Sequence, residues 1–130
     1  MTAKEYLSQY YTEKLKIKKL SGEIEELEAL SVYASPRLSV SGSGISDKIG
    51  NNAAKIADKQ KELDCLIEKS LKLMDEIETC INRVENVRLN YILTERYINC
   101  RKWEDIAEEL NTDLRWIHRL HGRALKKIDH

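Results

Sequence analysis

From Ile49 onward, core-type positions recur at alternating steps of four and three: Ile49, Ala53, Ile56, Gln60, Leu63, Ile67, Ser70, Met74, Ile77, Ile81 and Val84. More than four unbroken heptads require a long helix whose stripe lies against another helix. An earlier stretch repeats the pattern: Ala3, Tyr6, Tyr10, Glu13, Ile17, Leu20, Ile24 and Leu27 follow a capping box formed by Thr2 and Glu5. The spacing predicts a helix from residue 3 to about 31, a little over 40 Å long at about 1.5 Å per residue and too exposed to stand alone. Two heptad helices of similar length joined by a linker most simply fold back as an antiparallel hairpin. The second helix carries more apolar surface than one partner needs. Leu66, Leu73, Cys80 and Val87 run at steps of seven beside its main seam, so a third body should pack there, either the C-terminal part or a second chain.

Between the two patterns, residues 34–46 change composition abruptly. Pro36 stops any helix, and serines with Gly42 and Gly44 offer no periodicity, so this segment reads as a linker. Its Gly-Ser-Gly lacks the preceding strand and the Gly-Lys-Ser/Thr ending of a phosphate cradle. The second long helix is expected over 47–85, with a break near Glu85-Asn86, where Asn86 is suited to cap a fresh helix over 87–100. Ile92, Leu93, Tyr97 and Ile98 of that helix should face a small core that Trp103 lids and Trp116 flanks.

Residues 103–122, WEDIAEELNTDLRWIHRLHG, read as two short helices joined by a three-residue turn. The first buries Ile106, Ala107 and Leu110, with Ala107 small enough for close helix crossing. Asn111 tolerates the left-handed backbone of such a turn, and Asp113 is an N-cap for a helix starting at Leu114. That helix turns Ile117, Leu120 and Ala124 inward, and Arg115, His118, Arg119 and Arg123 outward. The pattern is that of a helix-turn-helix.

Charge divides sharply across this motif. Glu104, Asp105, Glu108 and Glu109 occupy the first helix with no base; Arg115, Arg119, Arg123, Lys126 and Lys127 occupy 114–128 with no acid. A basic helix face is usually only a solvated face. On the second helix of this motif it is suited to DNA, with Arg115 and Arg119 nearest base edges, His118 beside them, and Arg123, Lys126 and Lys127 nearer phosphates. The chain has no net formal charge, so duplex affinity has to come from this local asymmetry.

The wider composition narrows the alternatives. One proline, five glycines and no phenylalanine in 130 residues favour helices over sheet. Cys65, Cys80 and Cys100 lack metal-site spacing and read as reduced thiols. His118 and His121, one helical turn apart, have no third ligand nearby, so no metal and no cofactor is expected. Tyr10, Tyr11 and Tyr33, at helical spacing among leucines, read as packing residues. No Ser/His/Asp, paired-carboxylate or metal constellation is present, so the expectation is a non-enzyme. No apolar run spans a bilayer and no signal-peptide pattern opens the chain, which leads one to expect a cytoplasmic protein with no membrane partner.

The stretch RYINCRKWEDIAEELNTDLRWIHRLHGRALKKI resembles the DNA-binding fourth region of bacterial sigma factors. It is more similar still to small phage and prophage proteins of low-GC Gram-positive bacteria, relatives of the ArpU and RinA type, regarded as late-gene transcription regulators. The likeness rests on Arg96-Tyr97, Trp103 to Ala107 and Arg119 to Leu125, with SGSGISDK at 41–48 as a weaker part. Lys102 replaces the family's usual Ser-type cap, and Asn111 a commoner glycine. The first change costs that helix start a fraction of the roughly 1 kcal/mol a cap is worth. The resemblance implies an all-α protein: a long two-helix coiled-coil hairpin (1–33, linker 34–46, 47–85) followed by a three-helix, sigma-region-4-like helix-turn-helix module (86–130). Its implied partners are double-stranded DNA, RNA polymerase and further copies of the chain. A protein-interaction adaptor, an RNA polymerase accessory or DNA-packaging component with little duplex affinity, is the alternative from another class. A purely structural coiled coil leaves the one-sided charge of 114–128 without a purpose.

Overall fold

A computed structural model describes residues 1–34 and 43–128, with side chains for 1–32 and 50–128. Among the described residues every regular element is helical: α1 (Ala3–Ala34), α2 (Ser43–Asn82), α3 (Val87–Leu93) running into a wide π turn (Thr94–Ile98), α4 (Trp103–Glu109) and α5 (Leu114–Ile128). Helix α1 starts as its capping box predicts. The Thr2 N–H donates to Glu5 Oε2 at 3.3 Å, and the Glu5 N–H donates back to Thr2 Oγ1 at 3.2 Å. Residues 35–42, which include Pro36 and most of the expected linker, lie outside the described residues. Its flanks are helical: Ala34 still belongs to α1, and α2 begins at Ser43, four residues before the expected start. Among the described residues, no helix is long and apolar enough to cross a membrane.

Two compact units result, one of residues 1–13 with 70–130, the other of residues 14–69. The divisions expected at 33/34, 46/47 and 85/86 follow chain order, whereas these units cut through both long helices. The reason is that each helix changes core along its length. Leu7 joins Ile77 and Ile81 in one cluster, while Leu20 and Ile24 join Leu63 in another.

In the first unit, Leu7, Ile77, Ile92, Leu93, Ile106 and Ile117 are fully buried. Leu7 lies off the predicted seam, and its burial widens the buried face of α1 beyond a heptad line. The corner between α2 and α3 comes three residues early, because α2 ends at Asn82. Val84 closes it from within: its side chain is buried, and its N–H donates to the Ile81 carbonyl at 2.9 Å. Asn86 then caps α3, its side chain accepting from the Leu89 N–H at 3.1 Å, and Asn90 Nδ2 donates to the carbonyls of Ile81 and Val84. The early corner corrects one expectation. Val87, expected on the stripe of Leu66, Leu73 and Cys80, is 83% exposed at the start of α3. Leu73 itself packs against the first unit's core.

The expected uninterrupted helix over 87–100 is also corrected. After Leu93 the backbone widens: the Asn99 N–H reaches the Thr94 carbonyl at 3.1 Å, five residues back, and the Arg101 N–H reaches Glu95 at 3.0 Å. Cys100 then turns left-handed, φ 55°. The wide turn keeps Tyr97 buried and Ile98 half-buried against the core while the chain reverses toward α4.

The unit of 14–69 is sparser. Leu20, Ile24 and Leu63 are buried, with Ile17, Ile56 and Leu66 partly so, and Lys59 pairs with Glu23 at 2.9 Å. Ala53, Gln60 and Ile67, placed on the seam by their spacing, are exposed. Two helices touch along a narrow line, so any drift from an ideal 3.5-residue repeat leaves seam positions in water. Tyr11 departs from its expected packing role at 52% exposed, and the Tyr33 side chain falls outside those described.

Candidate nucleic-acid interface

The turn between α4 and α5 fixes how α5 is presented. Helix α4 is preceded by Lys102, whose backbone is extended and whose side chain makes no cap bond; Glu104 and Asp105 in the first turn offset the exposed N–H dipoles. Ile106 and Ala107 are buried and Leu110 half-buried, as a closely crossed helix pair requires. At the other end Asn111 adopts φ 53°. The Thr112 N–H donates to the Ala107 carbonyl at 3.0 Å and the Asn111 N–H to the Glu108 carbonyl at 3.1 Å, the paired bonds of a Schellman ending. Asp113 Oδ1 accepts from the Trp116 N–H at 2.7 Å and starts α5.

Two polar clusters hold the module. Arg101 pairs with Glu95 at 3.0 Å and with Glu109, which also accepts the Tyr91 hydroxyl, tying α3 and its π turn to the end of α4. Both carboxylates push the Arg101 pKa further up. Inside, Tyr97 and His121 share a hydrogen bond of 2.6 Å between the hydroxyl and Nε2. Burial, helped by the positive charges of Lys4, His118 and Arg96, drives the His121 pKa down to about 4. The ring is therefore neutral at pH 7. Burial likewise pushes Tyr97 up to about 12. His121 is spoken for by the core, which removes it as a metal partner for His118. Among the described residues no group of three or more His, Cys, Asp or Glu is placed to hold a metal.

Ile117, Leu120 and Ala124 of α5 are buried, and Arg115, His118, Arg119, Arg123, Lys126 and Lys127 are all exposed. The six do not share one face. At about 100° per residue, Arg115, Arg119 and Lys126 fall within about 40° of one another, Arg123 and Lys127 turn to one flank, and His118 turns about 60° to the other. Among the described residues, Arg115, Arg119, Lys126 and Lys127 meet no carboxylate. His118 lies on Trp103, ring centroids 5.4 Å apart, and Trp103 in turn lies 4.4 Å from His121. Lys126 and Lys127 also sit in the last turn of α5, where cations oppose the carbonyl end of the helix dipole.

On the Arg123 flank, an open groove of about 590 Å³ runs between α5 and the start of α3. Leu89, Leu120 and Trp116 line it, and Arg88, Arg123, Lys126 and Lys127 supply four cations and no acid. The Arg123 guanidinium stands 5.4 Å from the Trp116 ring centroid. Arg88 is the residue that sequence reasoning missed. It lies 35 positions before Arg123, and only the packing of α3 on α5 brings the two together. Cys65, Cys80 and Cys100 are free thiols.

Set against protein-family models, curated proteins and solved structures, the chain matches none.

Proposed function

We propose that the protein is a sequence-specific DNA-binding regulator of transcription, of phage or prophage type, with no catalytic chemistry. In this reading α4 and α5 act as a helix-turn-helix within a sigma-region-4-like module, and α1 and α2 pair as an antiparallel coiled-coil hairpin. The observation that carries it is the one-sidedness of α5: four core residues on one side, exposed bases and no acid on the other. The left-handed Asn111 and the Asp113 cap support it, because they present α5 at a fixed angle to α4. Residues just after an N-cap enter a major groove first, so Arg115 and Arg119 are assigned to base edges, Lys126 to a phosphate, and Arg123 and Lys127 to phosphates along the flank. His118, held against Trp103, is assigned a supporting contact. Exposed Leu15 and Ile67 in the unit of 14–69 offer apolar surface for self-association or for RNA polymerase.

Arg115→Ala or Arg119→Ala should cost on the order of 1 to 3 kcal/mol at the cognate site and much less on random duplex. Lys126→Ala should weaken both alike and flatten the salt slope by about one unit. Anisotropy titrations at several salt concentrations measure this, with helical content checked by circular dichroism. Cognate binding unchanged in both arginine variants would sink the reading. The apolar lining of the groove at Leu89, Leu120 and Trp116 favours a second reading, an adaptor that docks a protein there. That reading gains if random duplex DNA shows no salt-dependent binding to the protein.

A further inference from the structure

Away from the face assigned to DNA, the first unit holds a smaller and more enclosed cleft of about 320 Å³, lined by Lys4, Ser8, Tyr11, Arg96, Tyr97, Cys100, Lys102 and Trp103. That volume lies at the low end of small-molecule sites, which run from about 300 to 1,000 Å³. Three cations and no carboxylate face it, and the field they create reaches inward: Lys4 and Arg96 are among the causes that lower the His121 pKa. Like charges gathered around a concave space repel one another and raise the local concentration of anions.

The backbone beneath the cleft is unusual in two independent ways. Arg96 and Tyr97 lie on the π turn, and Cys100 is a non-glycine residue at φ 55°. A helix running straight through 87–100 would distribute these three side chains differently; the wide turn and the left-handed residue bring them to one cavity wall. Departures of this kind cluster at ligand sites. Arg96 is also pre-set. Its Nη1 donates to the Arg101 carbonyl at 2.9 Å, and its guanidinium lies over the Trp103 ring, 4.8 Å from the centroid, so two contacts hold the group. Among the described residues its other N–H groups have no partner, and a held planar fork of that kind fits two oxygens of a phosphate. Beside it, the half-exposed Tyr11 ring, which core packing does not explain, offers a flat apolar surface.

We propose that this cleft binds a nucleoside monophosphate, with Lys4, Arg96 and Lys102 on the phosphate and the base laid against Tyr11. The site neither uses nor requires the outward bases of α5, so it stands whether or not α5 reads DNA.

The test titrates the full chain with adenosine 5′-monophosphate, inorganic phosphate and adenosine, following tryptophan fluorescence and the heat of binding. The nucleotide should bind saturably, phosphate more weakly, and adenosine least. Lys4→Gln with Lys102→Gln should weaken the nucleotide on the order of tenfold, because two charge-assisted contacts are lost. Tyr11→Ala should weaken the nucleotide but not phosphate. Arg115→Ala, outside the cleft, should leave nucleotide binding unchanged, so failure here and failure of the DNA reading are separable. Circular dichroism and thermal unfolding of each variant keep misfolding apart from lost binding. No saturable nucleotide binding by the wild type, or equal binding by the double lysine variant, overturns the proposal. If the double variant loses duplex affinity while the free nucleotide never binds, the anion is a DNA backbone phosphate and the nucleotide assignment is wrong.

Discussion

The unit formed by residues 1–13 and 70–130 and the unit of residues 14–69 are built from the same residue types and the same two long helices, yet they hold together differently. In the first, residues from both long helices and from α3, the π turn, α4 and α5 enclose a core with seven large side chains fully out of water. In the second, the core is a line: Leu20, Ile24 and Leu63 are buried and their neighbours only partly. In so small a cluster each buried group has fewer core neighbours, so a deletion there removes fewer contacts and the gap closes more easily. The difference separates periodicity from burial. Both regions keep their heptads, but only where additional helices cover the stripe does an apolar position become a core position.

The largest test of that contrast is truncation. Ile117→Ala should cost about 3 to 4 kcal/mol, because a fully enclosed side chain leaves a cavity that its neighbours cannot fill. Leu20→Ala, in the linear core, should cost about 1 to 2 kcal/mol. Urea unfolding of both variants gives the two values. Equal costs would mean that the second unit is covered more completely than its own two helices provide.

A pH titration sharpens the comparison by separating the two regions along one axis. The folded-state pKa of His121 is about 4 against an ordinary 6.5. The unfolded chain therefore binds more protons in between, and stability is fully present above about pH 6.5 and falls as the pH drops toward 4. The loss should be on the order of 2 kcal/mol, and His121→Gln should flatten that part of the curve. In the second unit, Lys59 holds the Glu23 carboxyl below its ordinary 4.5. Its contribution is present above that value and fades only at lower pH, as the carboxylate is protonated. Unfolding curves between pH 7 and 3, recorded with and without His121→Gln, resolve the two windows. A slope unchanged by the substitution would place the titrating group elsewhere.

The smallest effect concerns the helix rather than its packing. Gly22 sits mid-helix in α1, and a Cβ there would meet no atom within 4 Å. Gly22→Ala should therefore stabilise by about 0.5 to 1 kcal/mol through helix propensity alone. A loss of stability on thermal unfolding would show that some partner approaches that backbone closely.

Much of the candidate interface was legible in the sequence because its signals are local. The capping box at Thr2, the caps at Asn86 and Asp113, the left-handed Asn111 and the split between an acidic α4 and a basic α5 each depend on residues within one or two turns of each other. Helical periodicity likewise predicted Ile117, Leu120 and Ala124 inward and Arg115, His118, Arg119 and Arg123 outward. Those features decided which helices form and which face of α5 meets solvent. Contacts between residues far apart in the chain were settled only in three dimensions. The early corner at Asn82 turned Val87 out to solvent, and the packing of α3 on α5 brought Arg88 beside Arg123. The π turn and the left-handed Cys100 carry no glycine or proline to announce them; they arise because Tyr97 must reach His121 while the chain still turns back toward α4. Backbone propensity acts over a few residues and is written in the sequence, whereas a groove, a cleft or a depressed pKa depends on which distant side chains exclude the same water.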